Sequence, residues 1–232
     1  MSEHTLALIG MGKMGRAIAQ MAGEHGFRVV AEIDVGGEIS PQSLHGAEVA
    51  IEFTAPSAAE GNVRACIAAK CPVVCGTTGW YDDLPRVEAV ARRAGAAMLV
   101  APNFSVGVAL FQRMVRDAAR LVAGVEGFEV HMIETHHSAK KDAPSGTAAM
   151  LASAYGEAGG VPLPITSVRV GSVPGTHELI IDGAYEQIRF VHEARDRRVF
   201  ASGALTAARW LIGRTGIFTL DDVLSLPPRD HQ

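Results

Sequence analysis

The sequence predicts an α/β protein in which an N-terminal Rossmann-like, doubly wound parallel sheet precedes a C-terminal α+β domain with a mixed or antiparallel sheet. Short apolar runs alternate with helical patterns up to about residue 106, as strands do in a parallel sheet covered on both faces. A glycine-rich turn joins the first strand to the first helix. Beyond residue 106, three strand-like runs follow one another without intervening helices, which favours antiparallel pairing.

In the first half, Thr5–Ile9 is an apolar run typical of a buried strand. Ser57 and Glu60, three residues apart, predict a capping box at the second helix, and Gly95 predicts the end of the third. The remaining elements follow in order: strands over 27–34, 49–53, 72–79 and 96–107, and helices over 16–24, 54–70 and 84–95.

The second half begins with a long helix predicted over Val106–Val122. A partly alternating strand over 127–137 leads to a helix that starts near Ser145. Strands are then predicted over 166–172, 177–182 and 186–194, a long helix over 197–214, and a short final helix over 219–226 with Thr219 as its cap.

The composition excludes several classes of protein. The formal net charge is −4 and no Lys/Arg cluster forms a basic face, so we expect no nucleic-acid partner. No apolar run approaches the roughly 20 residues of a membrane span, and the first strand begins too early for a signal peptide. The three cysteines, Cys66, Cys71 and Cys75, fit neither zinc nor iron–sulfur spacing, which indicates reduced thiols in a cytoplasmic protein.

The glycine-rich turn GMGKMG, residues 10–15, lies between a strand and a helix. In that setting Gly10 permits the tight turn, Gly12 lets the backbone approach a pyrophosphate, and Gly15 lets helix and strand pack closely. The start of the helix offers free N–H groups and a positive dipole end to phosphates. The turn therefore predicts a dinucleotide site.

An acidic residue, Asp34, ends the second strand, where a carboxylate binds ribose hydroxyls. The next three residues, 35–37, contain no arginine, and a carboxylate repels a 2′-phosphate. We therefore expect NADH rather than NADPH, although Lys13 and Arg16 could each reach a phosphate and leave NADPH open. The loops 76–78 and 101–104 follow later strands, at the edge where such sheets bind ligands.

The segment 134–148, ETHHSAKKDAPSGTA, is crowded with titratable and anion-binding groups. Pro144 predicts that a helix begins just after it with Ser145 as its cap, so that backbone N–H groups face an anion. Two imidazoles and the Lys140 ammonium add charge and proton-donating capacity. No third metal ligand stands at a useful spacing, so we predict an acid–base site for a small anion and no metal.

The pattern His-His, two residues, Lys, one residue, Asp-Ala-Pro-Ser-Gly-Thr resembles that of the dihydrodipicolinate (4-hydroxy-tetrahydrodipicolinate) reductase family, and every fixed position is present. The likeness extends to GMGKMG, CGTTG, APNFSVG, VRVGSVPGTHEL and FASGALTAARWL. Two features depart from the family: the stretch between Asp34 and Val49 is short, and the glycine turn is one residue tighter.

The resemblance implies a role for individual residues. His136 would be the proton donor and acceptor, Lys140 a proton donor, and His137, Gly146 and Thr147 the substrate-binding residues. The nicotinamide cofactor, NADH or NADPH, would be bound by Gly10, Met11, Gly12, Lys13, Met14, Gly15, Asp34, Gly76, Thr77, Thr78, Ala101, Pro102, Asn103 and Phe104. No metal is implied.

The family also implies an architecture and a reaction. A dinucleotide-binding domain over 1–106, on which a segment from about 205 to 232 packs back, would join a substrate-binding and oligomerisation domain over 107–204. The expected protein is a cytoplasmic homotetramer that closes over its ligands and reduces a small dicarboxylate, a cyclic imine, in lysine biosynthesis through diaminopimelate. Two alternatives remain: another NAD(P)-dependent amino-acid dehydrogenase, and a non-catalytic NAD-sensing protein.

Overall fold

The computed structural model describes residues 3–224, which divide into two compact units. The first contains residues 3–106 and 198–224, and the second contains residues 107–197. The strands are β1 His4–Ile9, β2 Phe27–Ile33, β3 Val49–Glu52, β4 Val73–Cys75, β5 Ala97–Val100, β6 Phe128–His136, β7 Ile165–Arg169, β8 Thr176–Gly183, β9 Gln187–Glu193 and β10 Gly216–Phe218. The helices are α1 Lys13–Ala22, α2 Pro56–Ala68, α3 Leu84–Ala94, α4 Val106–Val122, α5 Gly146–Glu157, α6 Arg198–Leu211 and α7 Leu220–Val223.

The first unit is built on a six-stranded parallel sheet in the order β10-β5-β4-β3-β1-β2. Every residue of β3 and β4 is buried, as expected for central strands covered on both faces. Helices α2 and α3 pack against each other, as do α1 and α6. This arrangement confirms the Rossmann-like, doubly wound class, and it brings the loops that follow the parallel strands to one edge of the sheet.

The second unit contains a four-stranded mixed sheet in the order β7-β6-β8-β9. Strands β6 and β7 are parallel, whereas β6–β8 and β8–β9 are antiparallel. One face of the sheet, including Met132 and Leu179, packs with Phe111 and Val115 of α4 and Leu151 of α5 into a single apolar core. The mixed sheet agrees with the predicted α+β class.

The helix ends test the predicted caps. Gly95 ends α3 in the left-handed conformation, and Thr219 caps α7, where its N–H donates to the Asp222 carboxylate at 2.7 Å. The capping box predicted at Ser57 and Glu60 is wrong: α2 begins at Pro56, whose fixed φ suits the first helical position. The predicted final helix over 219–226 is present up to Val223, and residues 225 and 226 lie outside the described residues.

Two features of the first unit were not anticipated. Strand β10 pairs in parallel with β5 and extends the sheet by a sixth strand. Helix α6 belongs to this unit from Arg198 onward rather than from about residue 205. Its residue Gly203 lies against the loop after β5, because a Cβ there would stand 1.7 Å from the Phe104 carbonyl oxygen.

The three cysteines are all free and buried, in agreement with the predicted reduced thiols. Burial raises the pKa of the Cys71 thiol to about 11, so this thiol is protonated at neutral pH. Within residues 3–224, no helix is both long enough and apolar enough to span a bilayer.

Candidate active site

The glycine turn begins where β1 ends, and two of its glycines are required by packing. Gly10 has a φ of +91°, and a Cβ there would lie 2.1 Å from the carbonyl oxygen of Phe53. A Cβ on Gly15 would lie 2.0 Å from the carbonyl oxygen of Gly10. Since both obstacles are backbone atoms, these positions exclude any side chain.

Gly12 differs from its two neighbours, because no heavy atom lies within 4 Å of a Cβ built there. It is the N-cap of α1 and provides no side chain to occupy the N–H groups of the first turn. Lys13 is exposed, while Met11 and Met14 are half-buried. An open glycine at the start of a ten-residue helix fits the pyrophosphate of a dinucleotide.

Asp34 directly follows β2, which is the neighbour of β1 in the sheet. Its side chain is exposed, and Oδ1 accepts a hydrogen bond from the Met11 backbone N–H at 3.3 Å. The contact places the carboxylate next to the glycine turn. The structure therefore brings these two predicted parts of the cofactor site together.

The loop after β4 combines packing residues with one exposed hydroxyl. A Cβ on Gly76 would lie 2.1 Å from the Phe53 ring, and Thr77 is buried, with its Oγ1 accepting from the Thr54 N–H at 2.7 Å. Thr78 is exposed. Gly76 and Thr77 thus shape this loop, and Thr78 offers its hydroxyl to a ligand.

The loop after β5 likewise contains both buried and exposed residues. Ala101 and Phe104 are buried, whereas Pro102 is exposed. The side chain of Asn103 accepts from the Ser105 N–H at 2.8 Å, which folds the loop back on itself. Both loops stand at the carboxyl ends of adjacent strands of the parallel sheet.

A buried carboxylate at the end of β3, the neighbour of β4 in the sheet, was not predicted. Glu52, at the end of β3, is fully buried and accepts hydrogen bonds from the Thr54 hydroxyl, from Asn62 at 3.2 Å and from the Cys75 thiol at 3.0 Å. Burial and this carboxylate both raise the pKa of the Cys75 thiol. The network ties the ends of β3 and β4 to α2 and fixes the sheet edge.

In the second unit, the predicted anion site lies at the start of α5. Ser145 is the N-cap, and its Oγ accepts from the Ala148 N–H at 3.2 Å, which confirms the predicted helix start after Pro144. Gly146 is exposed and Thr147 is half-buried at the first two helical positions. The dipole and N–H groups of a helix start attract a carboxylate.

His136 ends β6 and is 8% exposed. Its Nδ1 is hydrogen-bonded to Oε2 of Glu134, and Oε1 of Glu134 accepts from Arg169 Nη2 at 2.7 Å. Burial opposes the charge on Glu134, but bonds from Arg169, Ser167 and His136 hold the pKa of its carboxyl at about 2. Burial lowers the pKa of His136, and the Glu134 carboxylate counteracts that effect.

A second buried imidazole, His177, comes from β8. Its ring centroid lies 5.2 Å from that of His136, and its Nε2 lies 3.3 Å from Ser145 Oγ. Burial, followed by the nearby His136 and His192, lowers the pKa of His177 to about 4, so it is neutral at physiological pH. His177 thus connects the histidine of β6 to the cap of α5.

The loop between β6 and α5 presents the predicted lysine. Lys140 Nζ lies 2.9 Å from Asp142 Oδ1, and the Lys140 N–H donates to the His137 carbonyl at 3.0 Å. The bond from Lys140 lowers the pKa of Asp142, whose carboxylate also accepts from the Gly146 backbone. The Asp142 carboxylate is therefore bound by Lys140, the predicted proton donor, and by Gly146, a predicted substrate-binding residue. Lys141 is exposed.

Sequence reasoning missed the third member of a possible metal-binding group. Ligand atoms of Glu134, His136 and His177 lie within 4.8 Å of one another. Both Glu134 oxygens are already occupied, by His136 and by the fixed positive charge of Arg169. These contacts favour an ion-paired acid–base cluster over a cation site. Glu134 and His136 alternate along one strand, so the sequence could have predicted that they share a face. His177 is separated from His136 by more than a strand and a helix, so no local pattern indicates that the two lie together.

The glycine turn of the first unit and the imidazole–lysine cluster of the second are each typical of an oxidoreductase that uses a nicotinamide dinucleotide. Residues 4–104 match the family model for the N-terminal part of dihydrodipicolinate reductase, and residues 107–224 match that for the C-terminal part. The chain belongs to the dihydrodipicolinate reductase family.

Individual relatives agree with this assignment. A 4-hydroxy-tetrahydrodipicolinate reductase from Christiangramia forsetii is 36% identical, over 95% of this chain and 97% of that protein. A reductase of the same name from Thiobacillus denitrificans is 33% identical, over 95% of this chain and 98% of that protein.

Solved structures support the fold. A dipicolinate-bound dihydrodipicolinate reductase from Paenisporosarcina sp. TG-14 superposes with a TM-score of 0.78 at 24% identity, over 95% of this chain and 99% of the other. An aspartate dehydrogenase from Thermotoga maritima has a TM-score of 0.53 at 12% identity, over 92% of this chain and 98% of that one.

Proposed function

We propose that the chain is a 4-hydroxy-tetrahydrodipicolinate reductase. It reduces (2S,4S)-4-hydroxy-2,3,4,5-tetrahydrodipicolinate to (S)-2,3,4,5-tetrahydrodipicolinate with loss of water, a step of lysine biosynthesis through diaminopimelate. The relatives that bear this name match along nearly their whole length. The observation that supports the reaction most strongly is the buried Glu134–His136 pair, next to Lys140 and the capped start of α5.

The substrate is a dicarboxylate, and the second unit offers groups that bind carboxylates. The N–H groups of Gly146 and Thr147 begin α5, and Lys140 adds an ammonium close to them. His137 follows directly after β6 and offers a further donor. A carboxylate of the substrate replaces Asp142 as the partner of Lys140 and the helix start.

Proton transfer is assigned to His136 and Lys140. Loss of the 4-hydroxyl and a C5 proton as water turns the substrate into an imine conjugated with a C4=C5 double bond. When bound, the nicotinamide cofactor would supply a hydride to C4 of this dehydrated form. The electron density that this addition releases is neutralised by a proton, which Nε2 of His136 and the Lys140 ammonium are suited to donate. A positioned acid of this kind contributes about 10²–10⁴-fold in rate.

The residues at the first unit's sheet edge favour NADH. The exposed Asp34 carboxylate lies next to the glycine turn, where it accepts ribose hydroxyls and repels a 2′-phosphate. The exposed Lys13 and Arg16 of α1 are the groups that could offset this repulsion. Comparing kcat/KM for NADH and NADPH tests this preference, and a large NADPH preference would contradict it.

The proposed assembly is a cytoplasmic homotetramer formed through the second unit's sheet. The face of the sheet opposite to Met132 carries Val168 and Val191, which are 37% and 56% exposed. Apolar side chains on an open sheet face are suited to association with another copy. Sedimentation equilibrium tests it, with a tetramer expected and a monomer at micromolar concentration contradicting it.

A coupled assay tests the function. Dihydrodipicolinate synthase generates the substrate in place, and oxidation of NADH or NADPH is followed by its absorbance. We expect cofactor oxidation that depends on the synthase. Oxidation with an oxo acid and ammonia instead would favour an amino-acid dehydrogenase, and cofactor binding without any turnover would favour an NAD sensor.

A further inference from the structure

Glu134 is a fully buried carboxylate whose partners are all side chains around His136. It lies on β6 two residues before His136, and alternate residues of a strand share a face. Ser167 stands opposite it on β7 and donates to it, as does Arg169. Burial of a carboxylate without such partners is strongly unfavourable, so these contacts hold the Glu134 side chain in a fixed position.

The bond between Glu134 and His136 has a defined direction. An ionised carboxylate can only accept, so the shared proton belongs to Nδ1 of His136. The second nitrogen, Nε2, is then the ring atom at which a proton can be exchanged. Arg169 Nη2 also donates to the Asp142 carbonyl at 2.5 Å, which connects Glu134 to the loop that carries Lys140.

We propose that Glu134, fixed by Arg169, is a positioning residue for the reduction: it keeps a proton on Nδ1 of His136 and so makes Nε2 the atom that exchanges a proton with the substrate. The inference rests on the proposed acid–base role of His136. Glu134 acts only through the imidazole and need not touch the substrate.

Four ionisable groups surround the His136 imidazole: Glu134 on the same strand, Arg169 on β7, His177 on β8 and Lys140 in the following loop. The charges of Lys140 and Arg169 disfavour the imidazolium, and His177 is neutral. Among the four, Glu134 alone favours the imidazolium. Removal of its charge should therefore lower the pKa of His136 and reduce the fraction of the imidazole that is protonated at neutral pH.

The variant Glu134→Gln tests the inference, because it keeps the size of the side chain and removes the charge. Arg169 can only donate, so the amide oxygen turns toward it and the amide NH₂ faces Nδ1 of His136. The imidazole must then carry its proton on Nε2. The matched control is Glu129→Gln, the same change at an exposed position of the same strand.

For Glu134→Gln, we expect kcat to fall by about 10²-fold or more while the Kd for NADH stays unchanged. The high-pH limb of kcat, which reports loss of the acid, should move to lower pH by about one unit or more. The control should retain the wild-type kcat and pH profile. A wild-type kcat and pH profile in Glu134→Gln would overturn the inference.

A measurement on the wild-type chain needs no variant. The ¹⁵N shifts of the His136 ring distinguish the two neutral tautomers, and we expect the proton on Nδ1. A proton on Nε2 in the wild type would overturn the inference even if the chain is active. Failure of the wild type to reduce the substrate would instead remove the proposed function, and the tautomer would still decide the role of Glu134.

Discussion

Replacing Gly12 by alanine should weaken NADH binding while leaving the fold intact. Its φ of −70° suits alanine, and nothing lies within 4 Å of the added methyl group, so we expect no loss of stability. The same methyl group occupies the space that the pyrophosphate needs. A clash of this kind costs about 1–3 kcal/mol, which corresponds to roughly a 5- to 150-fold increase in Kd.

The neighbouring variant Gly15→Ala should behave differently, because its Cβ would lie 2.0 Å from the Gly10 carbonyl oxygen. We expect it to lose about 1–3 kcal/mol of stability, and each kcal/mol lowers Tm by about 2–4 °C in a chain of this size. Gly61→Ala in α2, where a Cβ also meets nothing, is the control and should gain about 0.5–1 kcal/mol.

The assays are thermal unfolding of the chain without cofactor and fluorescence titration with NADH. The expected pattern is a wild-type Tm with a raised Kd for Gly12→Ala, and a lowered Tm for Gly15→Ala. If Gly12→Ala binds NADH as tightly as the wild type, the glycine turn does not hold the pyrophosphate, and the assignment of the cofactor site is wrong.

Three further predictions concern the second unit. Lys140→Ala should lower kcat by about 10²-fold or more with an unchanged Kd for NADH. The control Lys141→Ala, at an exposed position, should leave kcat unchanged. If the two variants lowered kcat equally, Lys140 would have no specific role. Asp142→Asn frees Lys140 from an exposed ion pair with the Asp142 carboxylate. If that carboxylate competes with the substrate for Lys140, the variant should lower the substrate KM by up to about fivefold. A raised KM would contradict this competition. Two folded-state pKa values, about 4 for His177 and about 2 for Glu134, lie below the ordinary 6.5 and 4.5. The stability that these groups contribute is complete above pH 6.5 and is lost as the pH falls through the folded-state values. Tm should therefore fall in two steps, and His177→Asn should make the upper step smaller without removing it, because burial also lowers the pKa of His136.

Much of the fold could be predicted because its determinants are local. Apolar runs such as Thr5–Ile9 are buried strands, and Gly95, Ser145 and Thr219 have the cap positions that their side chains or backbone favour. Strand β10 could not be predicted in this way. It has three residues, and its pairing depends on β5, a partner more than a hundred residues away.

The same distinction applies to the candidate site. The glycine turn and the histidine–lysine loop are contiguous motifs, so the sequence alone predicted them. The partners that set their chemistry come from other strands: Arg169 on β7 and His177 on β8 reach His136 only through the register of the mixed sheet. The error at Ser57 has a local cause, because Pro56 starts the helix two residues earlier than a cap at Ser57 would allow.

The central claim is that this chain transfers a hydride from a nicotinamide cofactor to C4 of a cyclic dicarboxylate. The most direct measurement uses NADH deuterated at the transferred C4 position, with substrate supplied by dihydrodipicolinate synthase, and locates the label in the product by NMR. We expect deuterium at C4 of tetrahydrodipicolinate. Product without deuterium, or NADH that binds but is not oxidised while the substrate is present, would contradict the claim.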